Sequence, residues 1–535
     1  MKLSSAFCFH LVLFCLVASF AIFAEPSHFD AEWIMTKKQS RNSWKTILAP
    51  IKNVELVSVF GPQERFALVR GPSIRVSKFS SDVLAIQPNY KYSALQRNDP
   101  NFGNSWGLLN EGQSLSDFGN SLKGIDVGAL KAWDIVAGSK KVTVAILDSG
   151  IDLSHEDLKN NLWINKLELE PNALDDDHNH YINDLNGWNF VDDNNNVIDD
   201  NNHGTAVAGV IASDSKNGKG TRGLLENSSM MIVKILDSNG TGSTERAVKG
   251  IEYAVRNGAS VINASWGGTF FDQVLFDTIK WANDEGVLIV CAAGNEPKDN
   301  DTDERPIYPA SFHLPNILSV AAHDAQGELA AFSSYGKESV HLAAPGVNIF
   351  TTTRGGYQWM NGTSFSAPFV TAAVALLKSV EPSFSPSFLK ERLIQTAVPM
   401  DYYMKEKLSS GGRLNVYQAL KNMISPKIPT PTAWIRVSKN LETAHPYSND
   451  TKQTFDITQP GAKHLRVHFS KFELERQYDK VELKDNLGKL AMSYSGKLES
   501  FWSADVLGDT LRLQFISDFS NAEWGFSIDA LEYSN

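Results

Sequence analysis

The stretch "KVTVAILDSG", residues 141–150, is apolar without alternation and then stops on an acid, Asp148. A strand with one wet face alternates apolar and polar residues. A continuous run implies cover on both faces, the mark of a parallel strand between layers of helix. The same kind of run recurs in "SMMIVKIL" (229–236), "ASVINASWGG" (259–268), "GVLIVCAAGN" (286–295), "NILSVAAHD" (316–324) and "VHLAAPGV" (340–347). Amphipathic stretches such as "STERAVKGIEYAVRNG" (243–258) and "DQVLFDTIKWANDEG" (272–286) lie between them. The alternation predicts a doubly wound α/β domain with a parallel sheet, its ligand site beyond the carboxyl ends of the strands.

The chain has 535 residues, too many for one ordinary core, so several domains are expected. Its formal net charge of −11, with no basic block, argues against a nucleic-acid binder. Residues 1–24, "MKLSSAFCFHLVLFCLVASFAIFA", have the early lysine, apolar run and small residues of a secretory signal, with cleavage expected after Ala21 or Ala24. An uncleaved anchor is the alternative. The expected location is therefore extracellular, or periplasmic in a Gram-negative bacterium. Cys8 and Cys15 fall inside that segment, leaving Cys291 alone and no internal disulfide in the mature chain.

Residues 25–92 read as a small α+β unit, with strands in "AEWIMTKK", "VELVSVFG", "RFALVRG" and "VLAIQPNYKY" and a helix between the first two. The α/β domain occupies 93–424. "SPKIPTPT", 425–432, with three prolines, reads as a stiff linker. Short alternating strands follow over 433–535, "HLRVHFSKFEL" and "DTLRLQFIS" among them, and predict an all-β sandwich.

Four residues stand where the α/β strands and helices meet. Asp148 ends a strand, where Asp-Ser-Gly is also an ordinary exit. His203 in "NHGTAVAGVIA" opens a small-residue helix, a common place for a capping histidine. Asn295 in "VCAAGNEP" sits in what is otherwise a turn. Ser364 in "NGTSFSAPFVTAAVALL" (361–377) begins a helix that is apolar almost all round, and Pro368 cannot donate the helical bond to the Ser364 carbonyl. Singly, each has a bland reading. Together, Asp, His and Ser are the parts of a hydrolytic triad, and a strand-end amide is the missing oxyanion donor.

The stretches "VAILDSGID", "HGTAVAGVIA", "ASWGG", "AAGN" and "GTSFSAP" resemble, in order and spacing, the motifs of subtilisin-like serine proteases, over about residues 100–420. The resemblance implies a subtilisin-like fold and a serine endopeptidase acting on proteins or peptides through an acyl-enzyme. Ser364 would be the nucleophile, His203 the base, Asp148 its partner and Asn295 the oxyanion donor. "SWGG", Ser265, Trp266, Gly267 and Gly268, resembles the edge that pairs with substrate backbone. Glu296 would stand at the rim of the specificity pocket, favouring a basic residue before the scissile bond, or be a plain exposed charge. Two positions depart from the family pattern: Ala206 and Phe369 stand where histidines are usual. Neither belongs to the triad, so changed packing is expected.

In "ALDDDHNHYINDLNG", Asp175, Asp177, Asn179 and Asp184 offer oxygens at near-alternate positions, which suits a structural Ca²⁺. His180 replaces the glycine of a regular EF-hand loop, and a solvated acidic loop is the alternative. Residues 25–92 resemble the family's propeptides, which inhibit the enzyme and template its folding; a permanent N-terminal domain is the other reading. The C-terminal segment resembles a CUB domain without its cysteines. That implies Glu475, Asp479 and Asp518 as a second calcium set and a surface for a protein target. A monomer is expected. One rival to the whole is an idle protease fold serving a CUB-mediated binding role; a second is an esterase or lipase, which the missing G-x-S-x-G elbow around Ser364 and the Asp, His, Ser order both oppose.

Overall fold

The computed structural model describes residues 32–38, 42–50, 53–71, 82–88, 99–115, 119–168, 172 and 174–535. The expected signal segment, and the boundary near residue 92, lie outside the described residues. The chain divides into two units, up to Gln96 and from Arg97 to Asn535.

In the first unit, four antiparallel strands lie in the order Glu55–Phe60, Phe66–Arg70, Glu32–Lys37, Val83–Pro88. The helix Trp44–Leu48 starts at Ser43, whose hydroxyl accepts from the Thr46 amide at 3.2 Å. It buries Trp44 and Ile47 with Met35, Ala67 and Val69 of the sheet. The α+β arrangement and its helix are those the sequence predicts.

The second unit is built on a nine-stranded sheet. Its order is Val398–Pro399, Gly412–Arg413, Leu342–Pro345, Ile317–His323, Leu288–Ala292, Ala259–Ala264, Gly138–Asp148, Asn227–Lys234, Gly187–Asn189. All neighbours are parallel except the first pair. The strand Gly138–Asp148 shows why its sequence is apolar throughout. Val144 and Ile146 feed one core, shared with the helix Thr363–Val380, while Ala145 and Leu147 feed the other, shared with the helices Thr244–Arg256 and Gln273–Asp284. Cys291 is free and buried in the strand Leu288–Ala292.

The six predicted strands are all present. The sequence reading missed the hairpin Ile349–Thr353/Gly356–Met360, whose first strand is rich in threonine. Those threonines are buried and directed: Thr351 and Thr352 hydroxyls each donate at 2.7 Å to the Ala206 and Thr205 carbonyls of the helix His203–Ala212. The two departures from the family pattern have packing explanations nearby. Ala206 is fully buried under this hairpin contact, and the Phe369 ring is buried so close to Gly107 that a Cβ there would lie 2.7 Å from it.

The C-terminal region is the expected sandwich. One sheet pairs Ile435–Glu442, Gly525–Ser534 and His464–Glu473, to which short strands add. The other runs Lys452–Thr458, Thr510–Ile516, Lys480–Lys484, Leu490–Tyr494. Val467, Phe469, Val481, Leu483, Leu513 and Phe515 share the core between them. A linker alone would leave this sandwich independent, but it is packed onto the α/β domain within the second unit. Tyr403, from the short helical turn Tyr402–Glu406 of the α/β domain, enters the sandwich core and donates to Asp485 Oδ2 at 2.7 Å. Tyr402 donates to Asp505 Oδ2 at 2.6 Å, and Lys405 pairs with the same carboxylate at 2.8 Å. Buried polar groups met in this way fix one docking geometry.

Candidate active site

Asp148 is the last residue of its strand and is fully buried. Its Oδ1 accepts from the Ser149 amide at 2.8 Å. Opposite, His203 opens the helix His203–Ala212, with Nδ1 2.8 Å from Asp148 Oδ1 and 3.0 Å from Oδ2. An ionised carboxylate only accepts, so Nδ1 carries the proton and Nε2 is left as the basic nitrogen. Burial works against a charge on His203. The charge and hydrogen bond of Asp148, with the charge of Asp199 behind, outweigh it and raise the imidazole pKa above its ordinary value.

Asp199 escaped the sequence reading. It is fully buried and anchors the start of the histidine helix: Oδ1 accepts from the Asn201 and Asn202 amides, both at 3.0 Å, and Oδ2 from the Thr205 amide at 2.9 Å. Asn202, just before the helix, holds a left-handed φ of 94°. The signal was an Asp a few residues before a helix start, the ordinary place for a carboxylate cap. It was hidden among the many acids and amides of "FVDDNNNVIDDNNHGT".

Ser364 lies in the first turn of the helix Thr363–Val380, preceded by Gly362 at φ 144°. The first amides of a helix have no internal partner, and that of Ser364 has none among the described residues. Asn295 accepts at Oδ1 from both the Thr363 amide and hydroxyl, each at 2.9 Å. With its oxygen so engaged, the NH₂ of Asn295 is set as a donor beside the Ser364 helix terminus. The Ser364 hydroxyl donates to the Ser265 carbonyl at 3.2 Å. No hydrogen bond joins it to His203 in this state.

The segment 265–268 continues from the strand Ala259–Ala264. Gly268 exchanges both backbone bonds with Tyr308, each 2.8 Å. Polar groups of alternate residues in an extended strand face the same edge, so Ser265 and Gly267 face the other one. Trp266 lies between, its buried Nε1 without a partner among the described residues. Glu296 is exposed and paired with Lys298 at 2.8 Å, so its charge is already countered.

Of the acidic loop residues, Asp175 and Asp177 converge with the buried Glu168, which the sequence reading missed. One oxygen from each lies within 4.8 Å of the others. Oxygens each about 2.4 Å from one calcium ion would be at most about 4.8 Å apart, so the set fits. Asp184 lies outside that set. Asp184 accepts from Tyr253 at 2.5 Å and Asn165 at 2.6 Å, and burial pushes its pKa up to about 6. Asn179 spends its amide oxygen on the Tyr181 amide at 2.8 Å. Glu475, Asp479 and Asp518 also converge within 4.8 Å, with Asp479 fully buried.

A family model described as "Subtilase family" matches residues 139–425. The chain is 35% identical over 301 residues to the major intracellular serine protease of Bacillus subtilis (strain 168), covering 54% of this chain and 86% of that protein. It is 29% identical over 405 residues to subtilisin-like protease 1 of Plasmodium berghei (strain Anka), covering 71% and 66%. With the thermophilic serine proteinase of Bacillus sp. (strain AK1) it shares 34% over 249 residues, 46% of this chain and 55% of that one. A solved structure of a Pseudoalteromonas arctica PAMC 21717 protease aligns with a TM-score of 0.48 and 24% identity over 61% of this chain and 99% of that chain. The chain belongs to the subtilase family and is a subtilisin-like serine endopeptidase.

Proposed function

We propose a secreted endopeptidase, made as a preproprotein, that cleaves proteins through an acyl-enzyme on Ser364. The observation that carries the reading is the Asp148–His203 pair, at 2.8 and 3.0 Å, in a molecule whose Asn295 amide is locked beside the Ser364 helix start. An extended peptide pairs with the Ser265 and Gly267 edge. Its own N–H competes for the Ser265 carbonyl and turns the Ser364 hydroxyl toward His203. Nε2 takes the hydroxyl proton as Oγ bonds to the scissile carbonyl carbon. The oxyanion is met by the Asn295 NH₂ and the Ser364 amide. Nε2 then passes its proton to the leaving amine, and water, deprotonated by the same nitrogen, releases the acid and frees Ser364.

The unit Glu32–Pro88 is read as the inhibitory propeptide, within a 25–92 segment, and the chain as exported. The 433–535 sandwich is read as a CUB-like module presenting a surface to a protein target. Glu168, Asp175 and Asp177 would hold one Ca²⁺, and Glu475, Asp479 and Asp518 another. The ions would supply charge neutralisation that rigidifies two acidic loops.

Side-chain preference follows from Ile307. A Cβ on Gly267 would lie 2.8 Å from its Cγ2, and one on Gly294 would lie 2.7 Å from its Cγ1. Ile307 thus fills the gap between the pairing edge and the residue before Asn295, and a small residue on the acyl side of the scissile bond is favoured over a basic one. Ile307→Gly is expected to raise kcat/KM for an aromatic residue there about tenfold or more relative to alanine, measured on a matched peptide pair.

The function is tested by exposing the processed protein to a fluorophosphonate and reading its mass. One adduct, mapped to the Ser364 peptide, is the expected result. An unlabelled protein with its N-terminal segment removed would return the idle-fold reading in its place.

A further inference from the structure

Pro368 stands four residues after Ser364, in the fully formed helix Thr363–Val380. A proline has no N–H, so the Ser364 carbonyl loses its helical partner. An unpaired carbonyl in the first turn would let the backbone carrying the nucleophile move, because nothing opposes its tilt out of the helix. The structure supplies a replacement. Ser265 Oγ donates to the Ser364 carbonyl at 2.8 Å.

That hydroxyl is itself directed. Asn263 Nδ2 donates to Ser265 Oγ at 2.9 Å, which occupies an Oγ lone pair and turns the hydroxyl proton toward Ser364. Asn263 is oriented in turn, since its Oδ1 accepts from the Thr371 hydroxyl at 2.8 Å. The chain runs Thr371 to Asn263 to Ser265 to Ser364. It leaves the serine helix, crosses to the strand Ala259–Ala264 and returns about two turns earlier. Thr371 and Asn263 are fully buried and Ser265 is nearly so. Every donor in it points the same way, so each bond polarises the next.

We propose that Asn263 and Thr371, acting through the Ser265 hydroxyl, are positioning residues that close the helical turn Pro368 leaves open and hold the Ser364 backbone in register with the pairing edge. The inference rests on the reading of Ser364 as nucleophile. Ser265 has two separate jobs on this view. Its carbonyl, facing the edge, is shared between the resting Ser364 hydroxyl and the substrate. Its hydroxyl, facing the helix, stays bonded to the Ser364 carbonyl throughout. The Ser364 amide, the proposed second oxyanion donor, shares its residue with that carbonyl. A tilt of the turn would therefore misdirect nucleophile and oxyanion donor together. The effect belongs in the chemical step and not in ground-state binding.

The test compares wild type with Thr371→Val, Thr371→Ser and Ser265→Ala. Active sites are counted by fluorophosphonate titration, and kcat and KM are measured well below each variant's melting temperature. Thr371→Val keeps the shape and removes the hydroxyl, while Thr371→Ser restores it. We expect kcat per titrated site to fall about tenfold in Thr371→Val and at least as much in Ser265→Ala, with KM within about twofold. Thr371→Ser is expected within about twofold of wild type. Full kcat per site in Thr371→Val and Ser265→Ala, even with lowered melting temperatures, would overturn the positioning role and leave the nucleophile reading intact. Equal losses in Thr371→Val and Thr371→Ser would also overturn it. A wild-type protein that takes no label would instead remove the reading of Ser364 itself. Should Thr371→Val not accumulate as folded protein, Ser265→Ala, which opens only an oxygen-sized gap, decides alone.

Discussion

Ser364→Ala is expected to lower kcat by about 10⁶-fold, the scale seen when the nucleophile is removed from a subtilisin triad. The size follows from what is lost together. Without Oγ there is no acyl-enzyme, and His203 has no hydroxyl to deprotonate, so the Asp148–His203 pair becomes idle as well. What survives is equally informative. The Ser364 amide is backbone and remains in place, and the Asn295 NH₂ is still fixed because its oxygen is held by Thr363 and not by Ser364. A residual acceleration of about 10³–10⁴ over water is therefore expected from oxyanion stabilisation and binding alone. Steady-state hydrolysis of a peptide ester and its amide by extensively purified variant measures it. A fall of less than about 10³-fold would mean that another group carries the attack, and that the helix start at Ser364 is only a cap.

How much of this was legible in sequence depends on the range of the interaction. The parallel strands were, because cover on both faces writes itself into each run as an absence of polar residues. The four candidate residues could be singled out, because each sits within a few residues of the strand end or helix start that positions it. Asp199 was obscured by equivalent neighbours, and only the fold shows which acid faces the Thr205 amide. Glu168 lies outside the acidic run whose Asp175 and Asp177 it joins, so ligand spacing alone did not reach it. Thr371, Asn263 and Tyr403 read as ordinary helix or strand residues. Their roles are set by partners about a hundred positions away or across a domain boundary, such as Asn263 for Thr371 and Asp485 for Tyr403. The proline-rich composition of 425–432 marked a stiff linker but not the docking of the sandwich, because composition reports the chain between domains and not the contacts that bridge it.

Asp148→Asn carries the second large effect, a fall of about 10⁴-fold in kcat near neutral pH with little change of shape. The carboxylate is fully buried and accepts from His203 Nδ1. An asparagine placed there can turn its NH₂ toward the ring, since the neighbouring Ser149 amide, a donor at 2.8 Å, claims the oxygen. Nδ1 must then accept, the proton moves to Nε2, and that nitrogen can no longer act as a base. The pH profile separates this from simple damage. In wild type the His203 pKa is raised above 6.5, and the active form is the neutral ring. The acid limb of kcat/KM is therefore expected above pH 6.5, with activity gained as pH rises through it. In Asp148→Asn burial, the largest influence and one that lowers the value, remains, while the charge and hydrogen bond of Asp148 are gone and only the Asp199 charge is left to raise it. The limb should move to lower pH even as the plateau drops. A variant with a low plateau and an unmoved limb would show that Asp148 orients something other than His203. A plateau within about tenfold of wild type would show that the imidazole holds its working tautomer without Asp148.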